Sequence, residues 1–365
     1  MARKLIPVDC RYLDFEMALP FDLFNESGVL VLAQGGRLAD QTRLARLLEM
    51  RLYCYDAGPE ERERPPSLLL GDLAKRFVHV SAPGKRLNPR EYVAISDELL
   101  DLMAAHPDMC TGMLLHLDVG SYSRRHALFV AALSYRVAEQ MGVGRQARRT
   151  LIRAALTMNV ASFSLQDNLA EVSRPLTGAE KTVLAHHPRR ATELLAKAGV
   201  TDVDWLRAVL QHHENLDQSG YPYQVGAEAL GLEARILRAV DVFAAMLSQR
   251  PTRLPYVPGH AVRVAFERER GHLDDAVMLI LRRLLGKYPP GTLVKLANRE
   301  TAVITRWFKS AETPKYVVSL MWPSGHPMQQ PHARKTSHFG CGIREHTSLP
   351  LAGVKLDWPR IWAEG

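Results

Sequence analysis

Five side chains have the type and setting to hold a metal ion: His126, His187, His212, His213 and Asp241. His126 shares a helical stripe with Val130, Leu133 and Val137. His187 closes one helical segment just before Pro188, and His212 and His213 close another. Asp241 lies four residues after Leu237, on the same apolar face. A single inward histidine is ordinarily a core residue satisfied by hydrogen bonds. A carboxylate on an apolar face is different, because burying an unpaired charge is costly. Taken together, four imidazoles and one carboxylate on converging helices read as metal ligands. Imidazole suits zinc, iron or nickel, and the carboxylate supplies charge balance.

A second feature is cationic. Tyr122 to Arg153 carries seven arginines against one acidic residue, Glu139. Such a run is in most cases a solvated face on a helix pair; the alternative is a phosphate-rich partner. The whole chain has 47 Lys and Arg against 39 Asp and Glu, a net charge of +8. That is mild for 365 residues, and permits anionic ligands without demanding nucleic acid.

These residues need a scaffold, and the periodicity supplies one. From about 91 to 288 apolar residues recur at spacings of three and four, which predicts a helical domain. Thr177-x-x-Glu180 has the capping-box form and opens a helix through about His186. Helices are also predicted over 202–213 and 233–249, with a last helix or pair over 263–285. Residues 1–58 read as a small α+β domain, with strands over 28–33 and 51–55 and a short helix over 40–50. The charged, proline-rich run at 59–66 begins a linker to residue 90. Residues 289–365 read as a small β-rich region, with strands near 292–296, 302–307 and 316–322 and a polar loop over 329–348.

The hydrophobic fraction of 47% and charged fraction of 24% exclude a mostly disordered chain. No apolar run approaches the ~18 residues of a membrane span. The N-terminus lacks the apolar core of a signal peptide. The four cysteines, Cys10, Cys54, Cys110 and Cys341, form no C-x-x-C pair. Reduced thiols and a cytoplasmic location are expected.

The most specific stretch is His212-His-Glu-Asn-Leu-Asp-Gln-Ser-Gly-Tyr-Pro222. It resembles the HHExxDGxGYP motif of the HD-GYP domain, a metal-dependent phosphohydrolase family acting on cyclic di-GMP. Pro175-Leu-Thr-Gly-Ala-Glu180 and His187-Pro188 resemble two upstream motifs of that family. Glu233-Ala-Arg-Ile-Leu-Arg-Ala-Val-Asp241 and Arg250-Pro-Thr-Arg253 resemble two downstream ones. His126 falls where the first histidine ligand is expected. The resemblance covers about residues 120–290. It implies an HD-type helical bundle with small α+β N-terminal and β-rich C-terminal appendages. It also implies that Arg250 and Arg253 approach the substrate phosphates and that Tyr221 belongs to the ligand-binding GYP loop; the alternative for the two arginines is a solvated helix end.

One segment departs from the pattern. Where the family carries His-Asp and a phosphate-touching lysine, this chain has Met158, Asn159 and Ser162. Tyr122 stands where some members have a glutamate ligand, and Gln218 replaces a glycine. A neutral asparagine bridges two metals poorly, and a thioether is a soft ligand. The remaining histidines and Asp241 could hold an incomplete site, one ion at most, of iron, manganese or zinc. Alternatively Met158 fills a dry core gap and the histidines are satisfied without metal.

Two readings follow. The first is a degenerate HD-GYP protein, a non-catalytic cyclic di-GMP effector or adaptor with no catalytic residues. Its GYP loop could dock a protein partner such as a diguanylate cyclase domain. The second is a cyclic di-GMP phosphodiesterase with an altered metal centre. A nucleic-acid binder using the arginine run is a weaker third. Neither membrane nor nucleic acid is expected as a partner.

Overall fold

The computed structural model describes residues 5–8, 22–33, 50–55, 65–248, 250, 252, 254–306, 313–348 and 358–363. The chain divides into two compact units, Met1–Arg64 and Pro65–Gly365. In the first, strands β1 (Leu5–Val8), β2 (Leu23–Phe24), β3 (Leu30–Leu32) and β4 (Leu52–Tyr55) pair antiparallel in the order β1-β4-β2-β3. The helix expected over 40–50 falls almost wholly outside the described residues, as do Cys10 and the run 59–64.

The expected linker over 59–90 is corrected from residue 66 onward. Helix α1 spans Pro66–Val80, and Leu70, Leu73, Ala74 and Phe77 are fully buried along one face. The proline that suggested a linker sits at the first helical turn, where its missing N–H is no loss. The second compact unit therefore begins at Pro65, and the C-terminal strands belong to it rather than to a separate domain.

Helices α2 (Pro89–Ala105), α3 (Pro107–His116), α4 (Tyr122–Gln140), α5 (Arg145–Thr157) and α6 (Phe163–Ala170) follow. Next come α7 (Gly178–Lys197), α8 (Val203–Gln211), α9 (Leu232–Leu247), α10 (Pro258–Arg268) and α11 (Asp275–Leu285). The centre of the bundle is α4, buried on every side from His126 to Ala138. A helix buried all round must be surrounded, and α3, α5, α6, α9 and α11 all pack against it. Its first turn is pinned by Asp167, which accepts from the Ser123 N–H at 2.8 Å and pairs with Arg124.

The arginine run is internally paired. Arg136 meets Asp108, Arg145 meets Asp101, and Arg149 and Arg153 share Asp97. These contacts tie α4 and α5 to their neighbours.

Strands β5 (Leu293–Leu296), β6 (Thr301–Val303), β7 (Tyr316–Met321), β8 (Pro327–Lys335) and β9 (Ile343–His346) form an antiparallel sheet, ordered β8-β7-β6-β5-β9. The polar loop expected over 329–348 is thus largely two strands. Their polar side chains suit sheet edges, since β8 and β9 are the two outer strands. Helix α12 (Trp358–Ala363) packs on α1 and α3. The fit requires glycine at position 112, because a Cβ there would lie 2.5 Å from the Trp362 ring and 2.8 Å from the Gly291 nitrogen. Among the described residues no helix is long and apolar enough to cross a membrane.

Candidate metal centre

Helix α7 delivers the first histidine. Its capping box is formed: Thr177 Oγ1 accepts from the Glu180 N–H, and Glu180 accepts from the Thr177 N–H at 2.7 Å. The Arg174 guanidinium holds the Glu180 carboxyl down at about 2. The helix does not stop at His187 as expected but runs on to Lys197 with Pro188 inside it. Proline has no N–H to give the Leu184 carbonyl four residues back. His187 Nδ1 donates to that carbonyl instead, at 2.6 Å. The helix defect thereby fixes the histidine tautomer.

His212 reaches the same state by another route. It caps α8, where the last carbonyls lack intrahelical partners. Its Nδ1 donates to the Val209 carbonyl at 2.6 Å. Both Nδ1 atoms must carry the proton, because a carbonyl only accepts. The two Nε2 atoms, left as bare acceptors, lie 3.1 Å apart. Burial lowers the His187 and His212 pKa values, the latter to about 3, with mutual repulsion adding to the drop in His212. Two neutral imidazoles with facing lone pairs could hold a cation between them. Two nitrogens bound at about 2.0–2.1 Å to one tetrahedral ion would be separated by about 3.3–3.4 Å, slightly more than here.

His213 completes a group whose ligand atoms all lie within 4.8 Å of one another. Its ring stacks on Tyr221, centroids 4.7 Å apart at 22°. Burial also pushes its pKa well below the ordinary histidine value. The loop after it folds back tightly. The Tyr221 N–H donates to the His213 carbonyl, and a Cβ on Gly220 would come within 2.4 Å of the Asn215 nitrogen. The Tyr221–Pro222 peptide is cis. Glu214, 2% exposed, accepts from the Tyr223 N–H at 2.7 Å, and Arg238 donates to Asn215 at 2.9 Å.

The other two expected ligands form a separate pair. His126 Nε2 meets Asp241 Oδ1 at 2.8 Å. Burial works against the Asp241 charge, but the His126 hydrogen bond holds its carboxyl well below the usual range. The Asp241 charge also acts on all three clustered histidines. The five residues therefore divide into a histidine triad and a His–Asp pair, in which the buried His126 Nδ1 has no hydrogen-bond partner among the described residues.

Tyr122 stacks on His126 and accepts a hydrogen bond from Arg250 Nη2 at 2.6 Å. Arg253 lies outside the described residues.

Residues 98–277 match the HD domain family. The helical unit is an HD-type bundle. A cyclic di-GMP phosphodiesterase of Pseudomonas aeruginosa is 26% identical over 75% of this chain and 69% of its own length. The cyclic di-GMP phosphodiesterase response regulator RpfG of Xanthomonas campestris pv. campestris is 36% identical over 38% of this chain, but over only 37% of its own length. Among solved structures, an HDG"Y"P protein from Bdellovibrio bacteriovorus superposes with a TM-score of 0.52 at 13% identity. It covers 77% of this chain and 99% of the other, a likeness of fold.

No His-Asp dipeptide occurs anywhere in the sequence. Met158 is fully buried in the main core, and Asn159 is 2% exposed. Gln166 Nε2 donates to Asn159 Oδ1 at 2.8 Å and to Ser162 Oγ at 3.1 Å. These side chains close the turn between α5 and α6. Sequence reasoning missed Gln166, the Arg250 contact with Tyr122 and the tautomer-setting role of Pro188. For Pro188 a signal was present, since a helical proline always leaves one carbonyl unclaimed.

Proposed function

We propose that this chain is a cyclic di-GMP phosphodiesterase of the HD-GYP group with an altered, single-ion metal centre. The facing Nε2 lone pairs of His187 and His212, with His213 beside them, carry the reading. The names of the curated relatives support the substrate. His187, His212 and His213 would hold the ion, with Asp241 near enough to balance its charge. A bound iron, manganese or zinc would supply Lewis-acid stabilisation of charge on a phosphoryl oxygen. The chain's own contribution is orientation. Tyr221 fixes the His213 ring by stacking, Pro188 fixes His187, and Arg250, with Arg253 after it, would take the phosphates.

The second reading is a non-catalytic cyclic di-GMP effector or adaptor, with the loop at 212–223 open to a protein partner such as a diguanylate cyclase domain. Asn159 favours it: a neutral amide satisfied by Gln166 stands where a bridging carboxylate would serve hydrolysis. The test is to incubate protein purified without chelator with cyclic di-GMP and manganese or iron, then measure metal and products. About one ion per chain and repeated turnover that vanishes in His212→Ala are expected. Binding without turnover would shift the assignment to the effector.

A further inference from the structure

Tyr122 and Arg250 form a unit beside the histidine centre. Tyr122 opens α4 one helical turn before His126, and the two rings stack at 5.8 Å and 19°. Arg250 comes from the segment after α9, 128 residues away in sequence. Its Nη2 donates to the Tyr122 hydroxyl at 2.6 Å, and its guanidinium carbon lies 4.6 Å from the Tyr122 ring centroid. One aromatic side chain thus touches both the cation and a histidine of the site. The Tyr122 phenol oxygen is an uncharged acceptor, so it orients the guanidinium without cancelling its charge.

Among the described residues no carboxylate pairs with Arg250, whereas Arg124, Arg136, Arg145, Arg149 and Arg153 each have one. The Arg250 Nε is buried and has no hydrogen-bond partner among the described residues. A buried donor left unsatisfied carries a penalty that an anionic oxygen would remove. The guanidinium fork suits phosphate oxygens, and a phosphodiester presents two on one phosphorus.

We infer that Tyr122 is a positioning residue that presents Arg250, as an unneutralised cation, to a phosphodiester oxygen of the ligand. This deepens the functional reading above and rests on it for the identity of the ligand. A purely structural role, in which the contact only fastens the segment after α9 to α4, would leave ligand affinity independent of the pairing.

Calorimetry on the full chain decides between them, with cyclic di-GMP as one ligand. The second is bis(p-nitrophenyl) phosphate, a diester with neither base nor ribose. Wild type, Tyr122→Phe, Arg250→Gln and the double variant form a cycle. Tyr122→Phe keeps the ring on His126 and removes only the hydroxyl. It is expected to weaken binding about tenfold, as for loss of a charge-assisted hydrogen bond. In the Arg250→Gln background it should change nothing. Equal losses in both backgrounds, or none in either, overturn the inference. Arg250→Lys is a further arm that leaves α4 untouched. It keeps the charge but loses the fork, and unchanged affinity there also overturns it. If only the small diester binds, with the same non-additivity, the cyclic di-GMP reading falls and the positioning role stands. If neither ligand binds the wild type, both fall.

Discussion

Gln218 occupies a φ of 66°, in the left-handed region that glycine adopts without strain. It lies in the loop between His213 and Tyr221, at a place where the resembling motif has glycine. A side chain there costs about 1 kcal/mol. Gln218→Gly is therefore expected to raise stability by about that amount, read as a higher urea midpoint at unchanged slope. Gly220 is the opposite case. Its Cβ position is filled by the backbone of Glu214 and Asn215, so this glycine sets the shape of the loop. The motif that drew attention to His212 and His213 owes its spacing to this backbone contact. The residue pattern made the histidines visible, but not that His126 and Asp241 would pair with each other and stand apart from the triad.

Among the elements, α7 shows how a local defect becomes a functional device. A proline in a helix interior costs about 3 kcal/mol by removing a hydrogen bond and crowding the preceding turn. Here the freed Leu184 carbonyl orients His187. Pro188→Ala would supply a backbone N–H to compete for that carbonyl. Stability is expected to rise by about 1 kcal/mol or more, while metal affinity falls about tenfold, the usual size of such an outer contact. Thermal melting and metal titration of the same variant check both. A parallel loss of stability and affinity would contradict the assignment of Pro188 as an orienting residue.

Across the second compact unit, His116 joins three elements. It ends α3, its Nε2 donates to the Gly291 carbonyl at 2.6 Å just before β5, and its ring stacks on Trp358 of α12 at 4.6 Å. Burial lowers its pKa to about 4, against the raising effect of the Gly291 bond, and nearby Arg125 adds to the drop. The native state thus keeps His116 neutral where the unfolded chain, titrating near 6.5, takes up a proton. Between about pH 6.5 and 4 the unfolded state binds more protons, so stability falls as pH falls through that window. His116→Gln is expected to flatten that part of the profile in denaturant titrations across pH. An unchanged profile would assign the loss to other groups.

The sequence by itself determined the helical bundle, because three- and four-residue apolar spacing needs no partner to be read. It also determined the candidate ligands, since short-range motifs carry their own backbone geometry, as Gly220 and Thr177–Glu180 do. Tertiary structure alone decided which of these residues meet. The unit boundary moved to Pro65 because α1 buries Leu70, Leu73 and Phe77 against helices distant in sequence. The polar strands β8 and β9 formed because pairing with β7 and β5 satisfies backbone groups whatever the side chains. Tyr122 and Arg250 came together across the fold, and hydrogen-bond direction at Leu184 and Val209 turned two histidines to face each other. Contacts between residues far apart in the chain depend on packing, which no local pattern encodes.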